Sequence, residues 1–321
     1  MRALCLTAIG QPPTLLDIAD PQPGAGEVLV QIAAAGLNFA DLLMIDGRYQ
    51  AMPRLPFTMG MEVAGTVIAQ GAGVSSPALG ARVAVFGGQG GLAERGVFAA
   101  ARCLPLPDDM PMTVAAGFQI AYGTSHLALT RRARLQPGET LVVLGAAGGV
   151  GLTAVEVGHA LGARVVAVAR GAEKLAIARQ AGADHLIEAG GDLKAQLRAL
   201  GGADVVYDPV GGESFTAAMG AMRPEGRMLV IGFASGTVPP VAANHMLVKN
   251  VDVLGFYWGG YVAFNPAALD DSLRTLMQWH AAGRLHPHVS HVLPLDRTAE
   301  GLALLKDRLA TGKVVITMDQ G

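Results

Sequence analysis

The chain has 321 residues, 51% of them hydrophobic and 16% charged, with a net charge of −2. This length allows one large or two ordinary domains, while the composition excludes a disordered chain and the charge excludes general attraction to nucleic acid or anionic membranes. Two cysteines, Cys5 and Cys103, exclude a disulfide framework. No apolar run reaches the roughly 18–20 residues of a membrane span, so we expect a cytoplasmic protein.

The chain up to about Pro111 is predicted to form a compact, mostly β domain. Its apolar runs are short, turns rich in glycine and proline separate them, and helical patterns are sparse. The clearest predicted strands lie at residues 27–34, 65–70 and 81–86.

A buried strand then runs directly into a glycine-rich turn, from Gly145 to Gly151, and an amphipathic helix follows it. A turn of this kind offers free backbone N–H groups and the positive end of a helix dipole to a pyrophosphate. Glycine is needed because a side chain would keep the backbone away from the phosphates. The pattern favours a dinucleotide site over an ordinary strand–turn–helix with close packing.

Strands and helices alternate regularly from this turn to about residue 258. Near-continuous apolar strands in such an alternation indicate a parallel sheet covered on both faces. Strands are predicted at 164–169, 185–188, 203–209, 227–233 and 251–258, and helices at 173–181, 192–200 and 212–222.

The last part of the chain is predicted to return to the first domain. It contains helices at 269–280 and 297–309 and a final strand at 313–318, which needs a sheet to join. We therefore expect a catalytic domain of residues 1–117 and 259–321, with a dinucleotide-binding domain of residues 118–258 inserted into it.

Two positively charged residues follow the second strand of the predicted dinucleotide-binding domain, at the position that determines whether such a fold binds NADH or NADPH. NAD-binding versions carry an acidic residue at the end of the second strand, where it holds the ribose hydroxyls. Here that strand ends with Ala169 and Arg170, and Lys174 follows one turn later. A 2′-phosphate would find charge-assisted partners there, so NADPH is predicted; the alternative is that both cations are merely solvated.

Six stretches together resemble one known family over essentially the whole chain. The chain is similar to the zinc-independent medium-chain dehydrogenases/reductases of the quinone oxidoreductase (zeta-crystallin-like) family. The resemblance implies an α/β fold in which a GroES-like, mostly-β catalytic domain is split around an inserted Rossmann domain with a doubly wound parallel sheet, with the active site in the cleft between them. The matching stretches are residues 36–41, 60–65, 121–124, 145–151, 231–236 and 311–315.

The same resemblance bears on metal binding. Zinc alcohol dehydrogenases, which the chain resembles more distantly, have a Cys at the position of Asn38 and a His at that of Met61. Neither an amide nor a thioether is a credible ligand for a catalytic zinc ion. We therefore expect no metal.

Without a metal, hydrogen bonds must polarise the substrate carbonyl. The polar candidates in the region that the family places around the nicotinamide are Asn38, Asp41 and Tyr49. Tyr49 stands where related enoyl-thioester reductases have a tyrosine implicated as proton donor, although a packing role is equally compatible with the sequence. Asn38 is expected to orient cofactor or substrate, and Asp41 either takes part in catalysis or caps the helix that follows.

The resemblance also implies cofactor contacts along the second domain. Gly148, Gly149 and Val150 would lie at the pyrophosphate, and Thr124 near the nicotinamide carboxamide. It places Phe233 and Ser235 at the nicotinamide ribose, and Phe256 and Tyr257 at the wall of the cleft. One departure is that Glu188, Ala189 and Gly190 replace a tyrosine that packs near the adenosine phosphate in some members.

The predicted strand at 251–256 is apolar and lies at a sheet edge, which is a liability unless it is paired. The family implies a homodimer through this strand.

Three functions remain open. NADPH-dependent reduction of quinones or α,β-unsaturated carbonyls by direct hydride transfer is favoured. Reduction of enoyl thioesters is the second, although only Arg48 and Arg54 lie near the expected substrate entrance. The third is a dinucleotide-binding protein with incidental activity, and a pI near 6.4 argues against an RNA-binding version of it.

Overall fold

The computed structural model describes residues 1–318 and divides the chain into two units. The first unit consists of Met1–Ile120 and of the chain from His288 onward, and the second of Ala121–Pro287. The first unit is therefore discontinuous in sequence, as an inserted domain requires.

The boundary after the insertion differs from the predicted one, because residues 259–287 group with the second unit rather than the first. Contacts made by this segment explain the difference. Ser272 bonds the ring of buried His126, and the guanidinium of Arg284 donates to the carbonyl of Ala160. Residues 319–321, the end of the predicted catalytic domain, lie outside the described residues.

Antiparallel pairing dominates the first unit. A three-stranded sheet has the order β2-β1-β4, and a seven-stranded sheet has the order β15-β16-β3-β5-β6-β8 with β7 paired to β3. The strands are β1 (Arg2–Leu6), β2 (Thr14–Asp17), β3 (Glu27–Gly36), β4 (Phe57–Thr58), β5 (Glu62–Gln70), β6 (Arg82–Phe86), β7 (Arg95–Ala99), β8 (Cys103–Pro105), β15 (Val289–Pro294) and β16 (Lys313–Thr317).

The final strand joins the first sheet, as the sequence predicts. Val315, Ile316 and Thr317 of β16 lie antiparallel to Gly36, Ala35 and Ala34 of β3. This pairing brings β16 beside the turn that follows β3, which is where the candidate residue Asn38 lies.

Short helices cover the sheets of the first unit: α1 (Phe39–Ile45), α2 (Met112–Ala116) and α11 (Thr298–Lys306). Val28, Val30 and Ile32 alternate along β3 and point into one core, where each is at most 1% exposed. Gly301 of α11 packs closely there, since a Cβ on it would lie 2.7 Å from Leu37.

The second unit contains a parallel sheet of six strands in the order β11-β10-β9-β12-β13-β14. Its strands are β9 (Thr140–Leu144), β10 (Arg164–Ala169), β11 (His185–Glu188), β12 (Ala203–Asp208), β13 (Met222–Val230) and β14 (Asp252–Gly255). β9 is buried along its whole length, as a central parallel strand covered on both faces must be. This doubly wound sheet confirms the predicted fold class.

The helices of the second unit are α3 (Gln119–Leu127), which starts at the boundary, α4 (Gly149–Ala160), α5 (Ala172–Gln180), α6 (Leu193–Ala199), α7 (Gly212–Gly220), α8 (Ala243–Lys249), α9 (Tyr261–Phe264) and α10 (Pro266–Ala281). Most predicted bounds differ from these by one to three residues. The strand predicted at 227–233 begins five residues earlier, because the strand β13 continues through Arg223 and Glu225 despite their polar side chains. In the described part of the chain, no helix combines the length and apolarity that a bilayer crossing requires.

Candidate cofactor and catalytic site

The glycine-rich turn joins β9 to α4 at the carboxyl edge of the parallel sheet. Gly148 is the N-cap of α4 and is exposed, and its own N–H donates to the carbonyl of Gly145 (3.0 Å). The first backbone N–H groups of α4 have no intrahelical acceptor and lie at the positive end of the helix dipole. Gly148, Gly149 and Val150 therefore form an anion cradle made of backbone.

Two glycines of the turn are required by geometry. Gly145 has a φ of 61°, a conformation that favours glycine. A Cβ on Gly151 would lie 2.1 Å from the carbonyl oxygen of Gly145. The turn can thus close only with glycine at Gly151, which explains the spacing that the sequence shows.

Helix α3 anchors this turn from one side. Ser125 donates to the carbonyl of Val150 (3.0 Å), and Thr153 on α4 donates to the carbonyl of Ala121 (3.0 Å). Thr124, one residue before Ser125, is 6% exposed. The predicted nicotinamide-side residue Thr124 therefore lies on the helix that fixes the cradle.

The loops after β12 and β13 are tied together at the same edge of the sheet. Asp208 accepts hydrogen bonds from the backbone N–H groups of Val210 (2.7 Å) and Gly211 (2.9 Å), and Ser235 N donates to the carbonyl of Val210 (2.9 Å). Burial of Asp208 raises the pKa of its carboxyl group. Phe233, two residues before Ser235, is 37% exposed on this tethered loop, so an aromatic face is held at the edge where ligands bind such sheets.

Phe256 and Tyr257 directly follow β14. The N–H of Phe256 bonds to Val230, which extends the pairing with β13, and its ring lies 5.6 Å from that of Tyr261. Tyr257 is 39% exposed. Both predicted residues are thus fixed at the end of the last strand of the sheet.

The predicted phosphate-binding cations lie at the start of α5. Arg170 is exposed and Lys174 is half-buried. The pKa of Lys174 is lowered, first by burial and then by the positive charge of Arg170. Both cations therefore lie near the end of β10, as the sequence predicts.

In the first unit, Lys313 lies at the centre of a buried polar cluster. Its ammonium group is 2.8 Å from Glu62 Oε1, 2.8 Å from Asn38 Oδ1 and 2.8 Å from the carbonyl oxygen of Leu37. Glu62 is 1% exposed, and its second oxygen accepts the N–H of Ile120 (3.0 Å). A buried ion pair needs such additional hydrogen bonds, because both charges have lost their water. We call Asn38, Asp41, Glu62 and Lys313 the lysine cluster.

The amide of Asn38 is fixed in orientation by the lysine cluster. Its Nδ2 donates to Glu62 Oε1 (3.0 Å) and to the carbonyl of Gly36 (3.1 Å), which uses both amide hydrogens. Its Oδ1 accepts from Lys313 and faces the backbone N–H of Asp41 in the capping box of α1. Asn38 therefore has no amide hydrogen left to donate to a ligand.

Asp41 is fully buried, and its Oδ2 accepts the backbone N–H of Asn38 (2.8 Å) at the start of α1. The sequence offers Asp41 as the cap of a helix that begins at Leu42, whereas α1 begins at Phe39 with Asn38 as its N-cap. Asp41 therefore lies in the first turn and bonds the backbone of the N-cap residue instead. Its Oδ1 has no hydrogen-bond partner among the described residues. Burial is the main cause that raises the pKa of Asp41 to about 7, against the lowering effects of the Asn38 N–H and of Lys313.

Tyr49 follows α1 and is half-buried, packed against the core of the first unit. Its neighbour Arg48 forms an exposed ion pair with Asp46 (2.6 Å). The ring of Tyr49 therefore has a packing role, and its phenolic hydroxyl is the group that could take part in chemistry.

Glu62 and Lys313 were not among the residues that the sequence pattern identified. Lys313 is 251 residues from Glu62 and 275 from Asn38 in sequence. The sequence contains one indication of this pair, because Glu62 and Lys313 each interrupt an apolar stretch. Charged residues are almost never buried unless they are paired, so two such interruptions suggest a buried ion pair.

Comparisons with known proteins agree with this architecture. The family model of the alcohol dehydrogenase GroES-like domain matches residues 24–108, and that of the zinc-binding dehydrogenases matches residues 149–278. Quinone oxidoreductase-like protein 2 from Bos taurus is 38% identical over 312 residues, covering 95% of this chain and 89% of the relative.

Two solved structures are similar over nearly the full length. A quinone oxidoreductase from Thermus thermophilus, also solved as a complex with NADPH, is 34% identical with a TM-score of 0.88, covering 99% of this chain and 100% of that one. The Escherichia coli quinone oxidoreductase complexed with NADPH is 26% identical with a TM-score of 0.90, covering 98% and 99%.

The second family model is described by zinc binding, but the residues of the first unit do not fit that ion. Asn38 is an amide, Met61 is a thioether buried in the core, and both oxygens of Glu62 already accept hydrogen bonds. Among residues 1–318 no three His, Cys, Asp or Glu side chains form a group that could hold a metal ion. Zinc prefers Cys, His and free carboxylate ligands, and these residues offer it none.

Proposed function

The chain belongs to the quinone oxidoreductase family of medium-chain dehydrogenases/reductases and is an oxidoreductase, and we propose that it uses NADPH to reduce quinones or α,β-unsaturated carbonyls without a metal ion. The observation that carries this proposal is the glycine turn before α4. The backbone of Gly148, Gly149 and Val150 at the start of α4 is suited to a pyrophosphate, and Gly151 lets the turn close beneath it.

Charge at the start of α5 supports NADPH rather than NADH. Arg170 and Lys174 bring two positive charges to the end of β10, where NAD-binding versions of the fold place an acid. A guanidinium and an ammonium group are suited to a 2′-phosphate.

Bound NADPH supplies the hydride. The protein has to hold the nicotinamide and the substrate in fixed positions, which lowers the entropic part of the barrier. Thr124, Phe233 and Ser235 contribute in the second unit, where hydrogen bonds of their own loops and helices restrict them. In the first unit, Asn38 is held in one orientation, because Glu62, Gly36 and Lys313 bond its amide.

Tyr49 is the proposed hydrogen-bond donor to the substrate oxygen that becomes negatively charged. Asn38 has no amide hydrogen left for that role, and Asp41 is fully buried. We assign Asp41 to positioning, since its carboxylate holds the N–H of Asn38. A hydroxyl placed at a developing oxyanion stabilises the transition state more than the ground state.

We also propose a homodimer formed through β14. This strand is the last in its sheet and pairs with β13 on one side. Leu247 and Val248 on the preceding helix α8 are 78% and 80% exposed. A second copy of the same strand, related by a two-fold axis, would satisfy the open edge and cover these side chains.

A panel of quinones, enones and enoyl thioesters, followed by NADPH oxidation, tests the substrate class. The proposal requires turnover of quinones or enones at zinc contents far below stoichiometric. Faster turnover of enoyl thioesters would move the assignment to thioester reduction, and absence of turnover for all three would reject a reductase of this class.

Tyr49→Phe tests the donor. Loss of one oxyanion-type donor costs roughly 10²–10³-fold in kcat, so we expect enone reduction to fall by that order with NADPH affinity unchanged. Arg48→Gln, next to it and paired with Asp46 on the surface, is the control. Unchanged enone reduction by Tyr49→Phe would limit Tyr49 to packing.

A further inference from the structure

The carboxylate of Glu188 lies at the start of α5, beside Arg170, one of the two residues proposed to bind the 2′-phosphate of NADPH. β10 and β11 are parallel, and Ala169 lies opposite Glu188 in their register. Glu188 therefore ends β11 beside the point where β10 runs into Arg170 and Gly171. Its side chain turns onto the start of α5, the helix that carries Lys174.

The contact is a forked hydrogen bond. The N–H of Gly171 donates to Glu188 Oε1 (2.9 Å) and to Oε2 (3.1 Å). Gly171 is the N-cap of α5, with a φ of 85°, and no atom lies within 4 Å of the position its Cβ would take. The N-terminus of α5 thus binds the carboxylate of Glu188, and the space beside Gly171 is unfilled.

Positive charge flanks the same helix start. Arg170 is exposed, and within residues 1–318 no salt bridge joins it to Glu188. Its charge reaches Lys174, whose pKa it lowers after the larger effect of burial. The cations and the carboxylate therefore lie at one end of α5 with opposite charges, and they favour different ligands there.

From this arrangement, which rests on the proposed NADPH site, we infer that Glu188 sets the cofactor preference by competing with the 2′-phosphate for the N–H of Gly171. A phosphate at this position must displace the carboxylate or accept its repulsion. A ribose 2′-hydroxyl can instead donate to the carboxylate, as acids in this region of the fold do for NADH. Glu188 thereby weakens selection of NADPH and lets NADH bind.

Glu188→Gln tests the inference, with Kd values for NADPH and NADH measured by nicotinamide fluorescence at fixed low salt. The variant removes the charge and keeps a side chain of the same size. We expect NADPH to bind about tenfold more tightly, which corresponds to about 1.4 kcal/mol, while the affinity for NADH is unchanged or reduced. Titration with 2′-AMP and 5′-AMP gives the same comparison without the nicotinamide half.

Glu173→Gln is the matched control. Glu173 lies in the first turn of α5 and acts on Lys174 through its charge, so its loss changes the local field without changing the carboxylate that bonds Gly171. We expect this variant to change the ratio of NADPH to NADH affinity by less than threefold.

The outcomes separate the two proposals. An unchanged affinity ratio in Glu188→Gln, or an equal change in Glu173→Gln, overturns the role of Glu188 and leaves NADPH-dependent reduction standing. If the unmodified protein bound neither dinucleotide, the cofactor assignment and the role of Glu188 would fail together.

Discussion

The glycine turn of the second unit and the lysine cluster of the first are built in opposite ways. The turn is one short run of consecutive residues, Gly145 to Gly151, and it offers backbone N–H groups. The lysine cluster uses side chains separated by up to 275 positions in sequence, and nearly all of its hydrogen-bonding groups satisfy one another. The turn thus depends on the absence of side chains, while the lysine cluster depends on each side chain that it contains.

The difference predicts how each region responds to substitution. A methyl group on Gly151 would collide with the backbone of the turn. A missing partner in the lysine cluster leaves a buried charge unpaired. The first change should reduce ligand affinity as well as stability, and the second mainly stability.

Lys313→Met is expected to have the largest effect. It leaves the carboxylate of Glu62 buried without its cation, and breaking a buried pair in this way costs roughly 3–5 kcal/mol of unfolding free energy. Urea denaturation of the variant measures the loss. The double variant Lys313→Met/Glu62→Gln should recover a large part of it, since no lone charge remains.

Arg274→Met is the surface control, because its ion pair with Asp271 is exposed. It should leave the denaturation midpoint unchanged. An equally small effect of Lys313→Met would mean that the lysine cluster does not stabilise the fold.

Gly151→Ala should come next. A Cβ 2.1 Å from the carbonyl oxygen of Gly145 forces the turn open, and we expect NADPH affinity to fall about 100-fold, or roughly 3 kcal/mol. Fluorescence titration gives the affinity, and thermal denaturation gives the cost to the fold.

Gly148→Ala separates the two effects. Its Cβ has only one neighbour, at 3.5 Å, and its φ of −78° suits alanine. It should weaken binding by crowding the pyrophosphate but leave stability unchanged. Equal stability losses in the two glycine variants would contradict the turn geometry.

Asp41→Asn tests the lysine cluster through its pH dependence. With the pKa of Asp41 raised to about 7 from 3.8, the native state keeps a proton that the unfolded state releases. Its stabilising contribution is greatest below about pH 4, falls as the pH rises towards 7, and is constant above that.

Between pH 5 and pH 7 this amounts to roughly 2 kcal/mol. Glu156 and Asp208 change stability in the same direction, and His126, whose pKa is lowered to about 4, changes it in the opposite one. The measured quantity is therefore the difference between the unmodified protein and Asp41→Asn. Parallel pH profiles for the two would show that Asp41 is ionised throughout.

Gly255→Pro should have the smallest effect. It tests whether a backbone N–H at the open edge of the parallel sheet holds two subunits together, as the N–H groups of the glycine turn are proposed to hold a ligand. Because the N–H of Phe256 points to β13, that of Gly255 points to the open edge of the sheet. Proline removes it, and a Cβ there meets no atom within 4 Å. We expect dimer dissociation to become about tenfold more favourable, roughly 1.4 kcal/mol, in analytical ultracentrifugation.

Gly255→Ala keeps the N–H and serves as the control, with dissociation unchanged. Equal behaviour of the proline and alanine variants would place the dimer contact elsewhere.

The fold and the cofactor region could be predicted from the sequence because their determinants are local. The Gly145–Gly151 spacing follows from one turn, and the apolar strands after it follow from burial on both faces of a sheet. Arg170 and Lys174 could be placed because both follow directly from the end of one strand. The boundary at Pro287 could not, since it depends on packing such as that of Ser272 against His126.

An inserted dinucleotide-binding domain with a backbone-made anion cradle follows from the order of residues alone. The contacts of Asn38 and of Gly171 depend instead on how the strands pair in three dimensions. Lys313 reaches Asn38 because β16 pairs with β3, and Glu188 reaches Gly171 because β11 lies beside β10. Strand pairing is set by the burial of whole sheets, so contacts that depend on it leave no local pattern in the chain.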